Sequence, residues 1–559
     1  MNDLDTRHAA ALAGELLEQA PRVLGWLDRE PDSRTAGCMD RTYWAWKFTD
    51  FPGSRFQEGV CFLSFLHTRR LEGSRYVAHP ALLGWIEQAL DWWCGLQHRD
   101  GSFDEAYPFE RSLAATAFGS FYVAEALEML GGTGGGESPV AARARTALAR
   151  AGRWLAQNDE THGFLSNHLA AAAAALYHIY RITGDSVFAT RSRHFRDRIL
   201  ARQSDEGWYD EYAGADPGYQ SHGSFYLVRL WQLSGDEELA ASLDRAMTFM
   251  SHFVHPDGSL GGEYASRNTQ MYYPAAFEMF ASRSRASSWI AERMRLSVIG
   301  DAAVGMKAVD AYNFFPMLNN LVFAYRAVSS GHVRVPAVEP ESGLGLAWFP
   351  KAGIARIRRE RYDAYVGAAK GGVIKAWSRD GRLILSDCGW VGRTFDGRLA
   401  STQYQDATRP MSAGFERVEV EGHLYQSSRP VMSSARFIAF RVFTLTIGRW
   451  ALVGRWLKLQ LVRVLIYRRK KLPVEFRRTI EFADDRITIT DDLSGDHEGR
   501  LNTLERRPLF TTIHMGSSRY FVPNDLEAMR PDRAPGAAVE RHDPARIGEG
   551  LHVVHTVEV

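Results

Sequence analysis

The stretch DEGWYDEYAGADPGYQSHGSFYLVRLW, residues 205–231, reads in three parts. Asp205-Glu206-Gly207 is a turn, the next fifteen or so residues are a polar, aromatic loop broken by Gly and Pro, and an apolar helix begins near Gly223. The same order of helix, turn, loop and helix recurs at a spacing of about 50 residues, the range in which arrays of helical pairs are found. LQHRDGSFDEAYPFERSLAATAFGSFYVAEAL starts at Leu96, and VHPDGSLGGEYASRNTQMYYPAAFEMF starts at Val254. Looser copies are FTDFPGSRFQEGVCFLSFL from Phe48, LAQNDETHGFLSNHLAAAAAALYHIY from Leu155 and VDAYNFFPMLNNLVFAYRA from Val309.

Each such hairpin leaves an apolar face that only its neighbours can cover, so the copies over residues 36–330 predict an incomplete (α/α)6-type toroid. The second helix of each copy, rich in Ala, Phe and Leu, is suited to the inner ring. The loops entering those helices then converge on one end, where polar groups distant in sequence meet. Residues 1–35 read as an N-terminal helical extension. Residues 331–343, GHVRVPAVEPESG, have proline breaks and no apolar period, and read as a linker. From residue 344 to 559 short alternating stretches such as YDAYVGAAKGGVIKAWS and RTIEFADDRITITDDL predict an antiparallel β-sandwich. The fold class is α+β, multidomain.

A chain of 559 residues with a formal net charge of +1 is not a whole-protein nucleic-acid binder. Cys38, Cys61, Cys94 and Cys388 are far apart and without ligand spacing, so neither a disulfide framework nor a zinc site is implied. No residue cluster demands a metal or other cofactor. The GGTGGG run at residues 131–136 lacks the following Lys-Ser or Lys-Thr of a phosphate loop and reads as a surface connection. The charged, amphipathic N-terminus is not a secretory signal, and no segment reaches a charge-free spanning length, which together suggest a cytoplasmic protein. Residues 436–471 are apolar with basic residues every few positions; such a segment could touch an anionic membrane, but strands or a helix covering the sheet, with arginines at the rim, is the favoured expectation.

Candidate site residues fall in the loops of copies three, four and five. Tyr219 and His222 follow Pro217-Gly218 at the mouth of a helix, where polar aromatic side chains tend to be functional. Asn167 and His168 precede an alanine run; alone, Asn167 reads as a helix cap and His168 as a hydrogen-bonded core residue. Arg267-Asn268 caps the fifth inner helix or binds substrate on this reading. Glu110-Arg111 reads as a local ion pair. Trp44, Trp46, Tyr107, Trp208 and Tyr272 lie in loops of the same class and are suited to stacking on sugar rings.

Ser166-Asn167-His168, the Glu206-Gly207-Trp208-Tyr209 run leading to Tyr219, and YDAYVGAAKGGVIKAW with LILSDCGWVG in the sheet domain together resemble the heparinase II/III-like polysaccharide lyases and their oligoalginate lyase relatives. The resemblance implies β-elimination at a uronic acid, with Asn167 and His168 binding the carboxylate and Tyr219 moving protons. The family often carries a catalytic His in a His-Asn-Thr run of the sheet domain. Phe415-Glu416-Arg417 stands in the comparable neighbourhood here, so His222 or His423 would have to compensate.

These residue types suit that chemistry. A proton α to a carboxylate is weakly acidic, and donors held against the carboxylate stabilise the enolate-like species formed on its loss. Asn167 offers two uncharged donors and Arg267 a fixed fork for a planar carboxylate. A phenol works as a base when neighbouring cations bring its pKa down from about 10, and it can then protonate the departing glycosidic oxygen. A histidine base needs less tuning, and the sequence leaves the choice open. The alternatives are a uronyl C5-epimerase, a glycoside hydrolase using Asp210, Glu211, Asp216 or Glu263, and a non-catalytic glycan-binding or assembly protein. QHRDGSF, residues 97–103, hints at a terpenoid cyclase, but no Asp-rich diphosphate motif supports it.

Overall fold

The computed structural model describes residues 3–559 except 133, 161–162, 212–213, 332, 340–342, 428–431, 463–469, 496–500, 512–515, 517 and 530–538. Among the described residues twelve α-helices build the N-terminal part: α1 (Asp3–Trp26), α2 (Gly59–Thr68), α3 (Pro80–Leu96), α4 (Leu113–Leu130), α5 (Pro139–Gln157), α6 (Ser166–Thr183), α7 (Ser186–Leu200), α8 (Pro217–Ser234), α9 (Glu237–Ser251), α10 (Ala275–Phe280), α11 (Arg285–Ile299) and α12 (Ala311–Ser329). The even-numbered helices pack side to side in sequence, and α12 returns to α2, so the inner ring closes. The odd-numbered helices form an outer layer running α3, α5, α7, α9, α11, α1.

The N-terminal helix is therefore no extension. Its buried stripe of His8, Leu12, Leu16, Ala20 and Val23 packs on α11 and α12, making it the outer helix of the sixth pair. Inner helices are buried nearly all round; α4 is long and apolar enough to cross a membrane, yet most of it is covered by its neighbours in the ring.

The recurring turn has a physical cause visible in two copies. Gly101 and Gly207 both adopt φ +100°, and a Cβ there would lie 2.3 Å from the Arg150 carbonyl oxygen and 2.4 Å from that of Arg245. Four residues earlier, Gln97 donates to the carbonyls of Gly101 (3.0 Å) and Ala147 (2.8 Å), and Gln203 to those of Gly207 and Ser242 (2.9 Å each). The turn thus locks onto the next outer helix in a way only glycine permits.

The C-terminal part has two antiparallel sheets. The first runs β1 (Gly345–Phe349), β2 (Ile354–Arg358), β3 (Tyr362–Gly367), β4 (Val373–Ser378) and β5 (Leu383–Asp387) in sequence order. The second contains β6 (Trp390–Thr394), β7 (Leu399–Ser401), β8 (Met411–Ala413), β9 (Arg417–Ser427), β10 (Lys470–Phe482), β11 (Arg486–Gly495), β12 (Leu501–Arg506), β13 (Glu540–His542) and β14 (Leu551–Glu558). Its order is β13-β12-β6-β7-β9-β10-β11-β14, with β8 also on β9. Ala364, Val366 and Ile374 of the first sheet share a core with Val418, Phe476 and Ile480 of the second. Between the sheets Arg478 is buried and paired with Asp387 and Asp491, 2.7 Å to each.

The opposite face of the first sheet lies on the toroid. Tyr365 stacks on Tyr264 (5.6 Å), Trp377 stacks on His255 (4.2 Å), and Lys375 pairs with buried Glu263 (2.6 Å). Because β3 is buried on both faces, the sheet is a shared wall, and sandwich loops reach the toroid rim.

Two further helices, α13 (Ser434–Leu445) and α14 (Ala451–Val462), are inserted between β9 and β10. The favoured expectation for residues 436–471 was a cover over the sheet. The described contacts of these helices go instead to the toroid rim: Phe440 meets Tyr107, Arg441 pairs with Asp50 and Lys458 with Glu110. Residues 463–469 of that stretch lie outside the described ones.

Candidate active site

The N-terminal ends of the inner helices meet at one rim. On α8, Asp216 is the N-cap, and its two carboxylate oxygens do different work. Oδ1 accepts from the backbone N–H of Tyr219 (3.0 Å), while Oδ2 accepts from those of Arg267 (2.8 Å) and Thr269 (3.4 Å). One buried carboxylate thereby fixes the backbones that carry the phenol and the guanidinium. The Arg267 guanidinium lies over the Tyr219 ring at 5.1 Å. A Cβ on Gly218 would fall 2.6 Å from the Thr269 carbonyl oxygen, so this close approach needs glycine.

On α6, Asn167 is inside the first turn and is no N-cap; Leu165 holds that position without a side-chain bond. The cap comes from the next hairpin, where Glu211 Oε1 accepts the Asn167 N–H at 2.9 Å. Asn167 Oδ1 accepts from the His168 N–H (2.9 Å), and His168 Nδ1 lies 2.8 Å from Glu160. Glu211 is 2% exposed. Burial pushes its carboxyl up to about 8, more than the Asn167 amide and the Arg267 charge pull it down, so it is protonated at neutral pH.

Phe118 of α4 touches both histidines, with ring centroids 5.7 Å from His168 and 5.9 Å from His222. His222 also packs on Tyr273 (4.4 Å) and Tyr226 (5.2 Å), and its buried Nδ1 has no hydrogen-bond partner. Burial, with the charges of Arg55 and His168, brings its pKa down to about 3, so His222 is a neutral imidazole. Asn167, His168, Tyr219, His222 and Arg267 are thus parts of one rim. Asn268 is beside them in a left-handed conformation (φ +61°), with a buried amide oxygen lacking a partner.

The aromatic expectations fare differently. Tyr272 is buried and stacked on Phe277 (5.4 Å) in the core, because its side chain points away from the rim that Tyr273 faces. Trp208 donates to Glu206 (2.8 Å), which in turn accepts from the N–H groups of Lys351 and Ala352; it belongs to the toroid–sandwich joint. Tyr107 is buried beneath Phe440. Trp44 donates to the Trp26 carbonyl (2.7 Å), and Trp46, on the same short helical turn Thr42–Trp46, is exposed. His423 is opposite Glu475 in the second sheet, 3.9 Å away, with its described partners in that sheet. Glu110 pairs with Lys458 and Arg111 with Asp100 (both 3.0 Å), so they form no pair with each other.

Several rim residues escape a sequence reading. Arg55 bridges Glu58 (2.6 Å) and Glu105 (3.2 Å) and stacks over Phe118 (4.4 Å). The Arg55–Glu105 interval of 50 residues, one repeat, was the available signal. From the sandwich, Tyr520 donates to Asp310 (2.8 Å) and Ser518 to the Arg267 carbonyl (3.1 Å). Lys370 donates to the Ser266 carbonyl (3.2 Å), and burial lowers its pKa to about 7. A cavity of about 240 Å³ next to the rim is lined by Glu110, Asn158 and Glu160 of the toroid and by Gly454 and Lys458 of α14.

Of the four carboxylates open to hydrolase chemistry, Asp216 is engaged as a cap and Glu263 as the partner of Lys375. Among the described residues, Glu125, Glu128 and His178 could converge on a metal, but Arg229 already binds both oxygens of Glu125, at 2.6 and 3.1 Å.

Residues 85–275 match the family model of the ulvan lyase N-terminal domain. No curated protein sequence matches the chain. Among solved structures, the chondroitin AC lyase of Streptomyces coelicolor A3 in complex with chondroitin sulphate is similar with a TM-score of 0.55 and 15% identity, over 98% of this chain and 79% of that one. A Paenibacillus xanthan lyase gives 0.51 and 11%, over 90% and 47%. A heparinase III gives 0.51 and 9%, over 100% and 85%. All three likenesses are of fold, and they extend across toroid and sandwich together.

Proposed function

We propose that this chain, which has the toroid-plus-sandwich architecture of polysaccharide lyases and a toroid segment matching their ulvan lyase N-terminal domain, cleaves a uronate-containing glycan by β-elimination. The observation that carries the reading is the joint placement of Tyr219 and Arg267 by Asp216, beside an Asn167 backed by a protonated Glu211. In this reading Arg267 and the Asn167 amide hold the substrate carboxylate and stabilise the charge that develops when the α-proton leaves. A neutral Glu211 adds no repulsion where a second anion would.

Tyr219 takes the α-proton under the field of Arg267 and returns one to the departing glycosidic oxygen, so that no water enters the bond being broken. His168, oriented by Glu160, donates to the glycan, and His222 forms a neutral wall under the sugar. In this reading the toroid phenol carries both proton transfers. Hydrolysis is disfavoured because two of its four candidate acids are already bound within the fold.

The test is a screen of uronate polysaccharides and their oligosaccharides for near-ultraviolet absorbance from a new C=C bond. Tyr219→Phe and His168→Ala serve as controls. Elimination by the wild type, lost in Tyr219→Phe, supports the assignment. Undiminished turnover in both variants would remove these residues from the chemistry. Turnover of the uronate without a double bond would indicate epimerisation.

A further inference from the structure

The helical pair between β9 and β10 is built with its polarity reversed. On α13, Ile438, Val442 and Leu445 follow the i, i+4, i+7 spacing of one helix face and are exposed, while Arg441 and Thr444 turn toward the protein. On α14, Leu452, Trp456 and Leu459 repeat that spacing and are exposed, while Gly454 and Lys458 face inward. The turn between the helices exposes Ile447 and Trp450 as well. Leu452 is 80% exposed and Trp450 69%, where a helix covering a core would bury its apolar stripe. Apolar surface of this extent marks an interaction face.

Polar anchors set the orientation. Arg441 pairs with Asp50 (2.9 Å), Lys458 with Glu110 (3.0 Å), and Arg111 donates to the Arg449 carbonyl (2.9 Å). Phe440 supplies the apolar contact, edge-on to Tyr107 at 5.2 Å. With the inward face occupied by these bonds, the apolar stripes are left pointing out. The neighbouring loop that carries Asp50 also exposes Phe48.

Charge selects the occupant. Residues 434–471 contain ten Lys and Arg and no Asp or Glu; Asp50 and Glu110 offset Arg441 and Lys458, which leaves an excess of eight positive charges. A second copy of this face would bring like charge against like. An anionic bilayer offers an apolar interior for the stripes, negative headgroups for the basic side chains, and an interfacial level that suits tryptophan. Each helix has 12 residues, about 18 Å, well short of the roughly 30 Å hydrocarbon core, so the pair lies in the interface. We propose that α13 and α14 dock the protein on an anionic lipid surface. Gly454 and Lys458 also line the cavity next to Glu160, so docking holds the rim beside the membrane. This stands apart from the catalytic reading.

The test is cosedimentation of the full chain with vesicles of phosphatidylcholine alone or with 30% phosphatidylglycerol. Alongside the wild type goes the variant Ile438→Glu/Leu452→Glu/Trp456→Glu, changed only at exposed positions. Wild type is expected on the anionic vesicles, with partitioning reduced by about 100-fold or more in the triple variant, and with the same melting temperature for both. Three outcomes overturn the proposal: no partitioning of the wild type, equal partitioning of the variant, or a wild-type dimer in light scattering that the substitutions dissociate. The last would assign the face to a second copy.

Discussion

Replacing Glu211 by Gln isolates the neutral carboxyl at the rim. The side chain is 2% exposed, and its Oε1 accepts from Asn167 N–H at 2.9 Å, a bond the Gln carbonyl can keep. Burial raises the carboxyl from 4.5 to about 8 in the fold. Below pH 4.5 the acid is protonated both folded and unfolded, and the wild type bears no ionisation penalty. As pH rises from there, the unfolded chain releases the proton and the folded chain keeps it, so wild-type stability falls by about 1.4 kcal/mol per pH unit. The loss is about 3 kcal/mol at pH 7 and levels off above pH 8.

Gln carries no proton to lose, so the stability difference between variant and wild type widens by that slope. Urea unfolding of both proteins at pH 5, 6, 7 and 8 measures it. Parallel stability curves would mean that Glu211 is ionised in the fold, and would refute the neutral-carboxyl reading. A kinetic readout accompanies this: above pH 8 the wild type should lose affinity for an acidic glycan as Glu211 ionises, and Glu211→Gln should not.

Other expectations follow from single contacts. Tyr219→Phe should lower kcat by about 10²–10⁴-fold with KM little changed, because only proton transfer is lost. Arg267→Met should cost about 10²–10³-fold in kcat/KM while leaving thermal unfolding nearly unaltered, since the backbone clamp to Asp216 remains. Asp216→Ala removes the α8 cap together with the hold on Arg267, so it should both destabilise by about 1–2 kcal/mol in urea and depress kcat/KM. Arg478→Met leaves buried Asp491 without its guanidinium partner, while Asp387 keeps Arg506 at 2.9 Å, and should cost about 3–5 kcal/mol in urea.

The toroid was legible because helix, turn, loop and helix recur about every 50 residues; the glycine turns that punctuate the copies, such as Gly101, Gly207 and Gly258, are local features of the chain. The role of α1 was hidden, since its partners α11 and α12 are nearly the full toroid away in sequence. The rim residues of copies three to five were found by kind and place, but kind did not fix direction. Tyr272 and Tyr273 are adjacent aromatics in one loop, and only one faces His222. Arg55 and Glu105 were missed because their pairing joins the loops of two neighbouring hairpins, 50 residues apart. In residues 436–471 the amphipathic period was plain, while which face turned inward depended on Asp50 and Glu110 of distant loops.

The most direct measurement of the elimination claim is cleavage of a uronate oligosaccharide in heavy-oxygen water, with product masses read by mass spectrometry. Unlabelled products, one of them an unsaturated uronate lighter by one water than a hydrolysis product, are expected. Incorporation of one heavy oxygen for each bond cut would contradict it and make the enzyme a hydrolase.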